Sequence, residues 1–552
     1  MYRATCYIQA GFKCELLAAA LRYRSPKVMN RFASLMLGSK DLQKPATLFT
    51  SADFNSPDAT QFFAENFPPQ PAKTPIDHLS QAGDRSFKII IDGVFFQLFQ
   101  TGIARVWKSL LEEWSNNGFA KHIIVLDRAG TAPKIAGIRY LNLPPCDYEN
   151  SDANREMLQH VCDEEDASLF ISSYYTTPIT TPSVFMAYDM IPEVMQWNMK
   201  NPLWRAKYLA IQEACAYIAI SQNTALDLVK YYSSVALESI TVAYCGVSQI
   251  FSPAVPEVVN AFKIRYGINK PYFLLVGNYT GYKNGILFFQ AFSQLTSKGG
   301  FDIVCTGSGE MLADELRVYT FGSKVHMLQL SDMELAIAYS GAIALAYPSK
   351  YEGFGLPILE AIACGCPVIT CRNASIPEVA GDAVIYVDNN NVEDMVNALC
   401  DVQKPELRNS LITAGLTQAQ KFSWTKMAEI VSSTLINASL LNLNLREINW
   451  IVFPDWSQTE DLLSAELTPV IKSAAIHPDA AKITLLISTG NISIEEAQLF
   501  LSGIAMNLLM EEDIDISEEL AVSLVGELSD VQWQALLPRI HKKIALDIEP
   551  PK

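Results

Sequence analysis

Residues 351–361 read Tyr351-Glu352-Gly353-Phe354-Gly355-Leu356-Pro357-Ile358-Leu359-Glu360-Ala361 and continue as Ile362-Ala363-Cys364-Gly365-Cys366-Pro367-Val368-Ile369-Thr370. An apolar run, Ile343 to Ala346, precedes this stretch and ends near Pro348; another, Pro367 to Thr370, closes it. Compact apolar runs flanking a glycine turn and a helix describe strands buried on both faces of a parallel sheet. Pro357 fits the first helical turn, where its missing N–H removes no bond. The glycines before it bare backbone amides at the helix's positive end, which suits an anion. Glu352 stands on the loop and Glu360 lies one turn inside the helix. Two carboxylates so placed can bind hydroxyls at the two ends of a ligand whose anionic centre rests on the amides. A sugar joined to ribose through a diphosphate has that layout.

The same alternation extends in both directions. Phe87 to Asp92, His122 to Leu126, Ala167 to Ile171, Val184 to Met186, Ala216 to Ile220 and Ser239 to Val242 form one strand series, with helical periodicity over Gly102 to Trp114. Tyr272 to Val276, Asp302 to Cys305, Val325 to Leu328, Ile343 to Ala346 and Pro367 to Thr370 form a second. The fold class is therefore α/β, with two Rossmann-like domains hinged near Phe251 to Lys270. Asn449 to Phe453, Lys482 to Ile487 and Ala521 to Val525 repeat the pattern in a small C-terminal α/β module without a glycine-rich phosphate loop. Pro68-Pro69-Gln70-Pro71 and Pro75 mark an extended linker ahead of the first strand. The expected segments are a basic helical extension (1–50), a Pro-containing linker (51–85), two Rossmann-like domains (86–255 and 256–445) and an acidic module (446–552).

With 49% hydrophobic and 18% charged residues, the chain of 552 residues has the apolar material for several cores, which excludes global disorder. A formal charge of −17 argues against a general nucleic-acid binder, which needs clustered Lys and Arg. Charge is uneven: residues 1–44 carry eight Lys/Arg against two acids, and residues 450–552 carry seventeen acids against six bases. Either end could meet a partner protein, and the basic head could also lie on an anionic membrane surface. Eleven cysteines without a CxxC pair read as reduced thiols of a cytoplasmic protein, with no metal-ligand set. Leu17 to Leu21 is too short, and too soon followed by Arg22 and Arg24, to read as a signal peptide. No stretch approaches the ~20 apolar residues that span a bilayer.

Glu352 and Glu360 form an E-x7-E pair, and with the surrounding YEGFGLPILEAIACGCPVIT the stretch resembles the signature of retaining glycosyltransferases of family 4, which have the GT-B fold. Ile376-Pro377-Glu378-Val379-Ala380-Gly381-Asp382-Ala383, Val276-Gly277 with Lys283-Asn284, and Gly307-Ser308-Gly309-Glu310 extend the resemblance. So do Thr101-Gly102-Ile103-Ala104-Arg105, Tyr188-Asp189-Met190-Ile191-Pro192 and Ile220-Ser221 in the first domain. The resemblance implies an acceptor domain and a donor-nucleotide domain facing a cleft, and transfer of a hexosyl unit, mannose-like, from a nucleoside-diphosphate sugar to a hydroxyl acceptor such as a glycan. It places Glu352, Lys283 and Asp189 at the catalytic centre. Glu360, Gly353, Phe354, Gly355, Gly307, Gly309, Gly277 and Asn278 would bind the donor, and Gly102, Arg105 and Tyr188 would lie on the acceptor side. The nucleotide sugar is then a co-substrate, and no metal cofactor is implied.

The chain departs from this pattern. The family pairs its phosphate lysine with an arginine slightly earlier, where Asn278 and Tyr282 stand here; Arg372 is the candidate substitute. Tyr188-Asp189 replaces a common His-Asp, and Gln329 replaces a glycine. Tyr188 also fits a core position, and Asp92 and Asp189 could each cap the following helix. The missing arginine and the added acidic module leave one alternative of another class: a catalytically inactive GT-B scaffold acting through its C-terminal module.

Overall fold

The structure, a computed structural model, describes residues 87–98, 101–307, 309, 311–516 and 520–546. The expected extension (1–50), the linker (51–85) and the membrane or protein contact assigned to residues 1–44 lie outside the described residues, as do Ser308 and Glu310. Contacts divide the chain into two compact units, one spanning Lys88–Ser439 and one containing Leu440–Lys552.

The larger unit holds two parallel sheets. Strands β1 (Ile89–Asp92), β2 (Ile123–Arg128), β3 (Arg139–Leu143), β4 (Leu169–Ser172), β5 (Ser183–Ala187), β6 (Ala216–Ala219) and β7 (Ile240–Val242) form the first, ordered β3-β2-β1-β4-β5-β6-β7. Strands β8 (Tyr272–Val276), β9 (Asp302–Thr306), β10 (Val325–Leu328), β11 (Leu345–Tyr347), β12 (Val368–Cys371) and β13 (Ile385–Val387) form the second, ordered β10-β9-β8-β11-β12-β13. In each, strand order reverses beside the first strand, which opens a crevice at the strands' carboxyl ends. β1, β2, β4 and β5 are buried along their whole length, as continuous apolar runs covered on both faces must be.

Helix Gly102–Asn117 covers the first sheet. It buries Ala104, Trp107, Leu111 and Trp114 at helical spacing and stops where Gly118 adopts φ +83°. Helix Trp424–Ser439 follows the second series in sequence but packs on helix Gly102–Asn117, with Trp114 Nε1 donating to Ala428 O at 3.2 Å. Buried Leu287, Phe288, Phe289 and Phe292 of helix Gly285–Gln294 fill the core beside Phe273, Ile303 and Ile369. At ~1.5–3 kcal/mol per buried large apolar side chain, such layers fix the strand ends on which the loops stand.

Asp92 neither caps a helix nor faces a cleft. It is fully buried and takes two hydrogen bonds from Arg128, each 2.9 Å, with Thr176 Oγ1 donating to its second oxygen at 2.7 Å. That ion pair joins the ends of β1 and β2.

In the smaller unit, β14 (Ile448–Val452), β15 (Ile483–Ser488), β16 (Ala521–Val525) and β17 (Lys542–Ile544) form a parallel sheet ordered β16-β15-β14-β17. Alternate residues serve two cores: Leu485 and Ile487 pack with Leu467 and Ile504, whereas Ile451 and Leu486 pack with Val525 and Leu536. The module thus has three layers and one strand more than the sequence series predicts. Among the described residues no helix is long and apolar enough to cross a membrane, and nine cysteines are free.

Candidate functional site

Lys283 closes the turn that follows β8, and Glu352 lies on the loop after β11, so both stand where the second sheet's strand order reverses. Lys283 Nζ donates to Glu352 Oε1 at 2.7 Å and Oε2 at 2.8 Å, and to the Tyr347 hydroxyl at 2.7 Å. The Glu352 side chain is only 9% exposed, so the ammonium is what keeps a charged carboxylate tolerable there. The Tyr347 ring also lies 5.0 Å from Nζ.

The glycine loop is shaped by the first domain. A Cβ on Gly353 would fall 1.8 Å from Tyr188 O and 2.9 Å from Asp189 Cβ, so only glycine lets the loop pass the end of β5. Ser221 Oγ donates to Gly353 O at 2.7 Å, and Thr224 Oγ1 donates to the same oxygen at 3.1 Å. Ser375 Oγ holds the loop from behind through Glu352 O at 2.8 Å and Phe354 O at 3.0 Å. The Phe354 ring is buried between Tyr244 and Phe422, so its side chain packs while its backbone forms the loop. Gly355, at φ +104°, turns the chain into helix Leu356–Ala363, whose first turn contains Pro357.

Glu360 sits in that helix, 3% exposed. Its carboxylate is paired with Arg105 from the first domain's helix Gly102–Asn117, and Tyr339 OH donates to it at 3.3 Å. Burial raises the Glu360 carboxyl to about 7, with the Arg105 charge opposing the rise. The second guanidinium arm of Arg105 is paired with Asp332, at the start of helix Asp332–Gly341. Arg105, read from sequence as an acceptor-side residue, thus contacts the carboxylate assigned to the donor. Gly102, one turn earlier, faces Leu356 across the two domains: a Cβ there would meet Leu356 Cδ1 at 3.5 Å.

Asp189 is partly buried beside Gly353, and its Oδ1 accepts from Ile191 N at 2.9 Å. Burial pushes its carboxyl up; Lys207 counteracts this, and Glu352 adds to it. Tyr188 points the other way: its hydroxyl accepts from Trp107 Nε1, donates to Ser173 O at 2.9 Å and is closed off from solvent. Gly277 and Gly307, at φ +84° and +79°, pack against each other at the ends of β8 and β9; a Cβ on Gly307 would approach Gly277 Cα to 3.1 Å. Asn278 is exposed and turns its own loop by accepting from Thr280 N at 3.1 Å; Gly309 is exposed beyond β9. Arg372 stacks on Tyr386, 3.9 Å from the ring centre, and lines a pocket of about 310 Å³ with Asn373, Asp388 and Asp394. Its guanidinium lies 3.9 Å from Asp382. Tyr347, Tyr339 and Asp332 were missed in the sequence. Their one signal is position, at the carboxyl end of a central strand or on a helix facing Glu360.

Residues 259–418 match the group 1 glycosyl transferases. The O-antigen chain mannosyltransferase B of Escherichia coli is 45% identical over 94 residues, covering 17% of this chain and 25% of that protein. The serotype-specific mannosyltransferase WbdA of Escherichia coli is 26% identical over 268 residues, 45% of this chain and 32% of that protein. The chain therefore spans about a quarter to a third of the length of these relatives. The solved structure of sucrose-phosphate synthase from Thermosynechococcus elongatus superposes with a TM-score of 0.53 at 17% identity, over 63% of this chain and 98% of that one. The two-sheet body has the GT-B fold, and residues 259–418, within its second half, are similar to the group 1 glycosyl transferases.

Proposed function

We propose that the protein is a retaining glycosyltransferase that moves a hexosyl unit from a nucleoside-diphosphate sugar to a hydroxyl acceptor, a glycan in the first instance. The observation that carries this reading is the convergence of Lys283, Glu352 and the Gly355 helix start at the switch point, with Glu360 behind them. Without ligand the ammonium and carboxylate satisfy each other. A donor exchanges that pairing for Lys283 on the diphosphate and Glu352 on sugar hydroxyls, with Glu360 on the ribose.

In the reaction the bond from the anomeric carbon to the phosphate oxygen breaks as the acceptor oxygen attacks from the same face. The acceptor proton passes to the departing phosphate. Lys283 and the helix amides take up the leaving group's negative charge, so the mechanism calls for no metal. Mannose is the favoured sugar because two relatives are named mannosyltransferases.

The test is donor binding and slow donor hydrolysis against GDP-, UDP-, dTDP- and ADP-sugars, then product anomer determination. Binding of one nucleotide series, with hydrolysis lost in Glu352→Ala, supports the transferase. A folded protein that binds none of them is a scaffold.

A further inference from the structure

Glu360 and three other side chains form a closed ring. Arg105 pairs with Glu360, Tyr339 hydrogen-bonds it, the Phe251 ring stacks edge-on to Tyr339 with centroids 6.3 Å apart, and the Arg105 guanidinium lies over Phe251 at 5.3 Å. Arg105 comes from the first domain, Phe251 from the connection between the domains, and Tyr339 and Glu360 from the second. Asp332 takes the remaining arm of Arg105.

We propose that Arg105 is a positioning residue, which reaches across from the first domain to orient the Glu360 carboxylate for the ribose of a bound nucleotide. This rests on the donor-site reading above and adds to it that one half of the binding carboxylate's environment belongs to the opposite domain. A guanidinium suits the task because its planar fork can serve Glu360 and Asp332 together while its face rests on an aromatic ring. The charged and titratable groups facing Glu360 are Arg105, Asp332, Tyr339 and Cys364. Of these, Arg105 is the cation, so its removal leaves a buried carboxylate beside a second acid. Burial alone then favours the neutral form, which accepts hydrogen bonds from ribose hydroxyls poorly.

The experiment has two arms on the full chain. In the first, the Glu360 carboxylate band is followed by infrared spectroscopy of ligand-free, 13C-glutamate-labelled protein against pH, with Glu360→Gln identifying the band. Arg105→Gln is expected to move the midpoint to higher pH by about 1–3 units. Arg105→Lys should restore most of it, and Asp332→Asn should move the midpoint slightly down. An unchanged midpoint in Arg105→Gln overturns the proposal, and the Lys and Asn variants decide it if the Gln variant fails to fold.

In the second arm, GDP and UDP binding is measured from pH 6 to 8.5. Whichever nucleotide binds the wild type should weaken about tenfold per unit below the Glu360 midpoint, and the dependence should shift with the infrared midpoint in each variant. A binding profile that ignores the shift overturns the ribose role. Failure of both nucleotides to bind the wild type defeats the donor reading instead, and the infrared arm still decides the Arg105–Glu360 coupling.

Discussion

Lys283 and Glu352 hold each other at the carboxyl edge of the second sheet, Nζ lying within 2.7 and 2.8 Å of the two carboxylate oxygens although their positions are 69 residues apart in the chain. Each is the other's counter-ion.

Replacing Lys283 with Ala should therefore act twice. On the proposed function it removes a charge-assisted contact worth ~1.5–3 kcal/mol to a bound diphosphate, and in any case it leaves Glu352 buried without its cation. Steady-state kinetics should show transfer reduced by roughly 10- to 150-fold, with donor affinity weakened as well. Normal donor affinity in a folded Lys283→Ala would remove the lysine from the site.

Glu360 makes stability depend on pH. Its folded-state carboxyl, raised from 4.5 to about 7, favours the neutral form. The associated stabilisation is complete below about 4.5 and is lost as the pH climbs to about 7. Relative to wild type, Glu360→Gln should gain up to about 3 kcal/mol between those limits. Urea unfolding at pH 4.5 and 8 measures the difference, and parallel stability curves would contradict it.

Gly353→Ala places a methyl group inside van der Waals contact with the Tyr188 carbonyl. Backbone must shift on one side, at about 1–3 kcal/mol or more, and the loop that carries Glu352 shifts with it. A lower melting temperature together with lost donor binding is expected. A variant of wild-type stability would mean that the two domains do not meet as described.

Asp92→Asn strips the buried Arg128 of its counter-charge. The expected loss is about 3–5 kcal/mol, seen as an earlier denaturant midpoint. The double replacement Asp92→Leu with Arg128→Met should recover much of that loss, because it removes the uncompensated charge as well.

What could be read from the sequence follows from burial on both faces. β1, β8, β11 and β12 are apolar and central, so they stand out in the sequence as short apolar runs. β3, β13 and β17 sit at sheet edges and went unread: Arg139-Tyr140-Leu141-Asn142-Leu143 and Lys542-Lys543-Ile544 carry the polar and basic residues that edges tolerate, and β13 has only three residues. Glu352, Glu360 and Lys283 announced themselves through spacing within short segments. The partnership of Arg105 with Glu360, 255 positions away, has no local signature, because it depends on how two sheets face each other. Tyr188 was ambiguous for a related reason: the strand-end position suits a ligand contact, and only the tertiary fold reveals Trp107 and Ser173 waiting for its hydroxyl.

Glu378 supplies one more consequence. Its two oxygens accept from Gln222 N at 2.8 Å and Asn223 N at 2.7 Å, while Ser221 Oγ accepts from Thr224 N at 3.0 Å. The first three amides of helix Gln222–Tyr231 are thus already capped by the protein's own oxygens. That helix start is plugged, whereas the one at Gly355 has no side-chain cap. On the proposed function, of these two helix starts only the one at Gly355 has backbone amides to offer a donor's diphosphate, while the one at Gln222 is spent on joining the two halves through Glu378.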